Sequence, residues 1–162
     1  MPVKVLFVCL GNICRSPTAE GVFTHQLREA GLLDLVSVDS AGTGHWHVGK
    51  APDSRAIAAA ASRAYDISRL RARQVDAADF TAFDYVLAMD EANLDELRAL
   101  CPEDFSGHLG LFLNFAAPGS PTAVPDPYYG GAAGFDEVLD LVEAASAGLL
   151  QDIRGRLKGA PV

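Results

Sequence analysis

The sequence predicts a single α/β domain, an open parallel four-stranded sheet with helices on both faces. Three observations lead there. Short β-favouring apolar runs alternate with longer stretches of helical periodicity, the pattern of a parallel sheet covered by helices. A length of 162 residues with 49% hydrophobic content suits one core over residues 1–162, and no linker or internal repeat divides the chain. A charged fraction of 21%, with no low-complexity tract, excludes a disordered polymer.

The elements follow in order. Residues 3–8, V-K-V-L-F-V, are a nearly continuous apolar run, as expected of a strand buried on both faces. Ser16 and Pro17 then read as N-cap and first helical position, with Glu20 in the opening turn where the helix dipole favours an acid. Ala19, Val22, Phe23, Leu27 and Ala30 recur at helical spacing, and Gly31 is placed to end that helix. Residues 36–39 form a second strand, and residues 54–64 an Ala-rich helix. The third strand spans 85–89, a helix spans 91–100, and the fourth strand spans 109–115. Residues 116–134, rich in Pro and Gly, make a long ordered loop. A closing helix carries Phe135, Val138, Leu139, Val142, Leu149 and Ile153 on one face.

Several function classes are set aside by composition. A formal net charge of −8 argues against nucleic acid or an anionic membrane as the main partner, while leaving room for a local cationic pocket. No run reaches transmembrane length, so no membrane insertion is expected, and the apolar start is too short for a secretory h-region. Three cysteines, an odd number, fit a reducing cytoplasm better than a disulfide framework. Cys9 and Cys14 lack zinc-knuckle spacing and Cys101 stands alone, so neither metal nor cofactor is expected. His25, His45, His47 and His108 read as surface residues rather than ligands.

The chemistry concentrates at residues 9–16, C-L-G-N-I-C-R-S, between the first strand and the first helix. Open α/β sheets bind ligands there, beyond the carboxyl ends of the strands. Five residues separate Cys9 from Arg15. A loop of that length at a helix N-terminus can turn successive N–H groups inward as a phosphate-binding nest, and Gly11 and Asn12 tolerate the left-handed backbone it needs. Helix N-termini and cationic neighbours favour a thiolate, which would make Cys9 a nucleophile. Arg15 offers a planar fork for two phosphoryl oxygens, and Ser16 is placed to donate to the Cys9 sulfur. The alternative is an inert cysteine buried at a strand end.

Such chemistry needs a proton donor. Asp126, held between Pro125 and Pro127 and followed by Tyr128 and Tyr129, has its direction constrained by the two prolines. Taken alone, the same residues make an ordinary Asp-Pro turn.

V-C-L-G-N-I-C-R-S-P-T-A-E, D-S-A-G-T with W-H-V-G after it, A-R-Q, A-M-D-E-A-N-L and D-P-Y-Y-G-G occur in this order. In these motifs the chain resembles low-molecular-weight protein tyrosine phosphatases of bacterial type, from residue 3 to the last helix. The resemblance implies hydrolysis of phosphotyrosine in a protein substrate through a cysteinyl-phosphate intermediate, without cofactor, and a site that accepts phosphate or other oxyanions. It implies Cys9 as nucleophile, Arg15 as clamp and Asp126 as general acid. Leu10, Gly11, Asn12, Ile13, Cys14 and Ser16 would then surround the phosphate, with Trp46 and Tyr128 gripping the substrate ring. Asn12, Ser16 and Ser40 would tie the loop in place. The chain departs from the family at Leu70, where many members have a His joined to that network, so one supporting hydrogen bond is expected to be missing.

Other readings accompany this one. In protein-arginine phosphatases, a sister activity, a threonine commonly takes the Ile13 position, and the bulkier Ile13 favours an aryl ester. Arsenate reductases share the fold but need further cysteines, and no pair stands near Cys101 to complete a relay. A phosphate-binding module would need neither nucleophile nor acid. Cys14, at the far end of the tight loop, is expected to intercept an oxidised Cys9 as a disulfide; its alternative is a small apolar filler.

Overall fold

The computed structural model describes residues 2–128 and 130–158. Its elements are β1 (Val3–Cys9), α1 (Arg15–Glu29), β2 (Val36–Gly42), α2 (Ser54–Ala61), α3 (Asp79–Ala82), β3 (Tyr85–Ala88), α4 (Glu91–Leu100), β4 (His108–Leu111), a 3-10 helix (Phe112–Phe115) and α5 (Ala132–Lys158). The four strands are all parallel in the order β2-β1-β3-β4, as the alternation predicts. Tyr129, and residues 1 and 159–162 of the expected domain, lie outside the described residues.

Strand β1 sits between β2 and β3, which explains its unbroken apolar run. Val3, Val5, Phe7 and Cys9 face a core shared with Val22, Phe23 and Leu27 of α1 and with Val142 and Leu149 of α5. Leu6 and Val8 face the opposite core, built with Phe80 of α3 and with Leu94 and Leu97 of α4. Phe7 is fully buried, edge-on to Phe23 at 5.9 Å and to Phe112 at 4.8 Å. Because the chain leaves β1 for β2 on one side and returns to β3 on the other, a crevice opens at the carboxyl end of β1.

Several boundaries differ from the sequence expectation, among them the ends of α2 at Ala61 and of β3 at Ala88. Helix α1 starts at Arg15, so Ser16 is not its cap and Glu20 lies beyond the first turn. The Ser16 hydroxyl is engaged by Cys9 and Asn12 instead. Strand β2 continues to Gly42 because its pairing with β1 runs on to Cys9↔Gly42, through residues that are weak strand formers by themselves. Strand β4 stops at Leu111, and the chain folds into a 3-10 turn that buries Phe112 against Phe7. The short α3 carries too few residues to show a period, and α5 already begins inside the expected loop.

Helices α1 and α2 end alike. After α1 the Leu32 N–H returns to Leu27 O at 2.9 Å and the Gly31 N–H to Arg28 O at 3.1 Å, with Gly31 at φ 73°. After α2 the Tyr65 N–H reaches Ala60 O and the Ala64 N–H reaches Ala61 O, both at 3.0 Å, with Ala64 at φ 67°. Both are Schellman ends, but only the first has the glycine that this backbone favours. Ala64→Gly is therefore expected to stabilise the protein by about 1 kcal/mol through relief of left-handed strain. Urea titration should move the midpoint up at unchanged slope; an unchanged or lower midpoint would contradict the assignment.

Candidate active site

The loop that follows β1 wraps the mouth of the crevice, and long-range bonds hold its shape. Asn12 takes the left-handed conformation, φ 58°, and is 3% exposed. Gly11 does not share that conformation; its missing side chain matters because a Cβ there would come within 3.0 Å of the His47 ring. Gly42 matters similarly, since a Cβ would lie 2.7 Å from Leu10 O, so the end of β2 closes on the loop only as glycine.

One hydrogen-bond chain runs through the site. The Arg73 N–H donates to Asn12 Oδ1 at 3.0 Å, which fixes the amide orientation. Asn12 Nδ2 must then give its protons to Ser16 Oγ at 2.8 Å and Ser40 Oγ at 3.0 Å. With its oxygen accepting, Ser16 has its own proton free for Cys9 Sγ at 2.9 Å, nearer than Ala41 O at 3.4 Å. The Asn12 N–H also points at Cys9 Sγ, at 3.3 Å. Ser40 donates onward to Glu20 Oε1 at 2.7 Å. Burial pushes the Glu20 carboxyl up to about 7, against the bond from Ser40. Leu70 packs with the small apolar cluster of Cys14, Ala56 and Ile67.

Arg15 projects from the first residue of α1 and is 3% exposed. Its Nη1 donates to Asp90 Oδ2 at 2.6 Å and to Val124 O at 3.1 Å, while Nη2 lies 3.7 Å from Asp126 Oδ2. A buried guanidinium demands an anionic partner, and Asp90 supplies it from the turn after β3. Sequence reasoning missed Asp90. The signal was available as an N-cap Asp directly beyond a strand end, in A-M-D-E-A-N-L, where the carboxylate also accepts the Asn93 N–H at 2.8 Å.

A cavity of about 430 Å³ joins these parts. Cys9, Leu10, Gly11, Ile13, Cys14 and Arg15 form its floor and flank, and Trp46, His47, Asp126 and Tyr128 form the rest. His47 is thus a cavity residue, half-buried and 6.3 Å from the Tyr128 ring, rather than a surface one. Trp46 is 61% exposed, stacked on His45 and lying over Gly44. Asp126 accepts the Tyr128 N–H at 3.1 Å, which orients its carboxylate from within its own turn. Asn12, Ser16 and Ser40 lie behind the cavity and support the loop.

Cys14 is buried, and desolvation, reinforced by Asp53, pushes its thiol up to about 12. Its side chain lines the same cavity as Cys9. Cys101 ends α4 and packs with the core on the other face of the sheet from Cys9. Among the described residues no group of three or more His, Cys, Asp or Glu could hold a metal ion, and no helix is long and apolar enough to cross a membrane.

Known proteins share this architecture. A protein-tyrosine-phosphatase of Streptomyces coelicolor, of the low molecular weight type, is 46% identical over 162 residues, covering 98% of this chain and 98% of its own length. The crystal structure of a protein tyrosine phosphatase from Entamoeba histolytica, with Hepes in its active site, matches with a TM-score of 0.91 at 41% identity, covering 95% of this chain and 98% of that one. A Drosophila arginine phosphatase matches with a TM-score of 0.87 at 32% identity, over 94% of this chain and 98% of its own. The model of the family described as low molecular weight phosphotyrosine protein phosphatase matches residues 4–158. From its first strand to the end of its last helix, the chain belongs to that family.

Proposed function

We propose that the protein hydrolyses phosphotyrosine in protein substrates by two displacements at Cys9. One observation supports this above all: Cys9 Sγ, Arg15 and Asp126 face a single cavity, with the sulfur held by a hydroxyl at 2.9 Å and an N–H at 3.3 Å. In the first step Cys9 Sγ bonds to phosphorus as the bond to the tyrosine oxygen breaks, and the Asp126 carboxyl gives that oxygen its proton. In the second, water attacks phosphorus, Asp126 takes a proton from it, and the S–P bond breaks to release phosphate. The Ser16 hydroxyl stabilises the departing sulfur. Arg15, with Nη1 occupied by Asp90 and Val124, turns its remaining donors to the phosphoryl oxygens.

Substrate choice follows from the walls. Trp46 and Tyr128 flank the entrance and Ile13 lines the cavity, which suits an aryl ring lying between apolar surfaces. A short aliphatic phosphate is held too far out. The three free cysteines support a reducing, cytoplasmic setting, and the amide nest with Arg15 supplies positive field without a metal.

The test compares phosphotyrosine and phosphoserine peptides, phosphoarginine and arsenate on the purified protein, with and without chelator. Phosphotyrosine should give kcat/KM at least about 100-fold above phosphoserine, a gap of at least about 2.7 kcal/mol in transition-state binding. Chelator should change nothing. Faster turnover of phosphoarginine would transfer the assignment to the sister activity, and chelator-sensitive activity restored by one divalent metal would refute the mechanism.

A further inference from the structure

The turn that carries Asp126 and Tyr128 is gripped from outside by a residue with no part in the chemistry above. Arg55, in the first turn of α2, donates from Nη2 to Tyr128 O at 2.8 Å and from Nη1 to Gly130 O at 3.2 Å. Its guanidinium also lies 5.6 Å from the Tyr128 ring centroid and 4.9 Å from that of Phe135. Asp53, the N-cap of the same helix, braces the fork: Nε donates to Oδ1 and Nη2 to Oδ2, both at 3.0 Å. The Asp53 N–H is bonded to Ile13 O at 2.8 Å, inside the phosphate-binding loop. One rigid helix turn therefore holds the Cys9 loop with a backbone bond and the Asp126 turn with a side-chain fork.

An exposed ion pair alone contributes little. This one differs in what it holds. The chain just before Asp126 is held at Val124, whose N–H donates to Met89 O at 2.8 Å and whose carbonyl accepts from Arg15. From Asp126 onward the turn's own bonds are local, Tyr128 N–H to Asp126 Oδ1 at 3.1 Å and Gly130 N–H to Pro127 O at 3.0 Å, and they fix its shape rather than its place. Arg55 ties it across 73 and 75 residues of sequence to the helix against which the nucleophile loop rests.

We propose that Arg55 is a positioning residue for proton transfer: braced by Asp53, it sets the distance between the Asp126 carboxyl and the ester bound over Cys9. The proposal rests on the reading of Asp126 as the acid. Loss of the clamp lets the turn drift, and a displacement near 1 Å costs up to about 100-fold in a reacting geometry. Transfer to Cys9 suffers in proportion to the leaving group's need of the proton, while hydrolysis of the cysteinyl phosphate, where Asp126 is the base, suffers equally for every ester.

The experiment measures kcat/KM, which reports the transfer to Cys9 alone, on aryl phosphates of rising leaving-group basicity, for Arg55→Ala, Arg55→Lys and Asp126→Ala, and for Arg55→Ala combined with Asp126→Ala. Arg55→Ala should lose about 10- to 100-fold on the most basic leaving group and less than about threefold on the most activated. Arg55→Lys, which keeps one donor and the charge but not the fork, should recover part of the loss. In the Asp126→Ala background the Arg55 substitution should cost nothing further, because there is no proton left to place. A loss uniform across leaving groups, multiplying with that of Asp126→Ala, would make Arg55 a structural residue and overturn the proposal. Absence of any leaving-group dependence in Asp126→Ala alone would overturn the acid assignment, and the proposal with it. If Arg55→Ala shows no thermal transition, Arg55→Lys carries the same comparison.

Discussion

Cys9→Ser is expected to abolish turnover of phosphotyrosine peptides, by at least about 10⁴-fold, while inorganic phosphate still binds within about tenfold of the wild-type affinity. The split follows from how the site divides its work. In the proposed mechanism binding resides in the loop amides and in Arg15, whose orientation is set by Asp90 and Val124 rather than by the sulfur. Bond-making resides in Sγ alone. An alcohol is a far weaker nucleophile than a thiol group poised between a hydroxyl and an N–H, and its shorter C–O bond draws the oxygen back from phosphorus. The chain carries one tryptophan, Trp46, which lines the cavity and is 61% exposed, so its fluorescence can follow a phosphate titration directly. Retained turnover would mean another nucleophile. Loss of phosphate binding together with turnover, in a variant that still melts cooperatively, would mean that Cys9 shapes the loop through Ser16 and Asn12 instead of reacting.

What the sequence made legible was local along the chain. The run at β1 announced a strand covered on both faces, and the following Cys-to-Arg spacing directed attention to the switch point of the sheet, where a cavity lies. Gly31 announced the end of α1 because its left-handed backbone is a property of one residue. The parts that escaped depend on partners far away. Asp90 meets Arg15 across 75 positions, and Arg55 meets Tyr128 across 73. His47 looked like a surface residue until the closing of β2 on the loop brought it over Gly11. Glu20 read as a helix-dipole acid, but its helix starts earlier than Ser16-Pro17 suggested, and its carboxyl instead closes the Ser40 network. An apolar run such as residues 109–115 cannot distinguish a strand from a buried 3-10 turn, since both bury consecutive side chains.

Asp126 carries the second large effect. Asp126→Ala should slow hydrolysis of phosphotyrosine by about 10²–10⁴, the range that a positioned general acid supplies. Activated aryl phosphates should lose much less in kcat/KM, which stops at transfer to Cys9, because their leaving groups depart without a proton. Yet Asp126 has another task, accepting the Tyr128 N–H at 3.1 Å, and alanine removes both functions together. Asp126→Asn separates them. The amide oxygen can still accept the Tyr128 N–H and keep the turn closed, but the side chain has no proton at the acidity needed to give to a phenolate. If proton transfer is the role, Asn and Ala variants fall together on basic leaving groups and lie together near the wild type on activated ones. If the role is to shape the turn, Asn recovers most of the wild-type rate and Ala does not, and the acid must then be sought elsewhere among the residues facing the cavity. Values of kcat/KM on two aryl esters, one with a basic and one with an activated leaving group, decide between these outcomes.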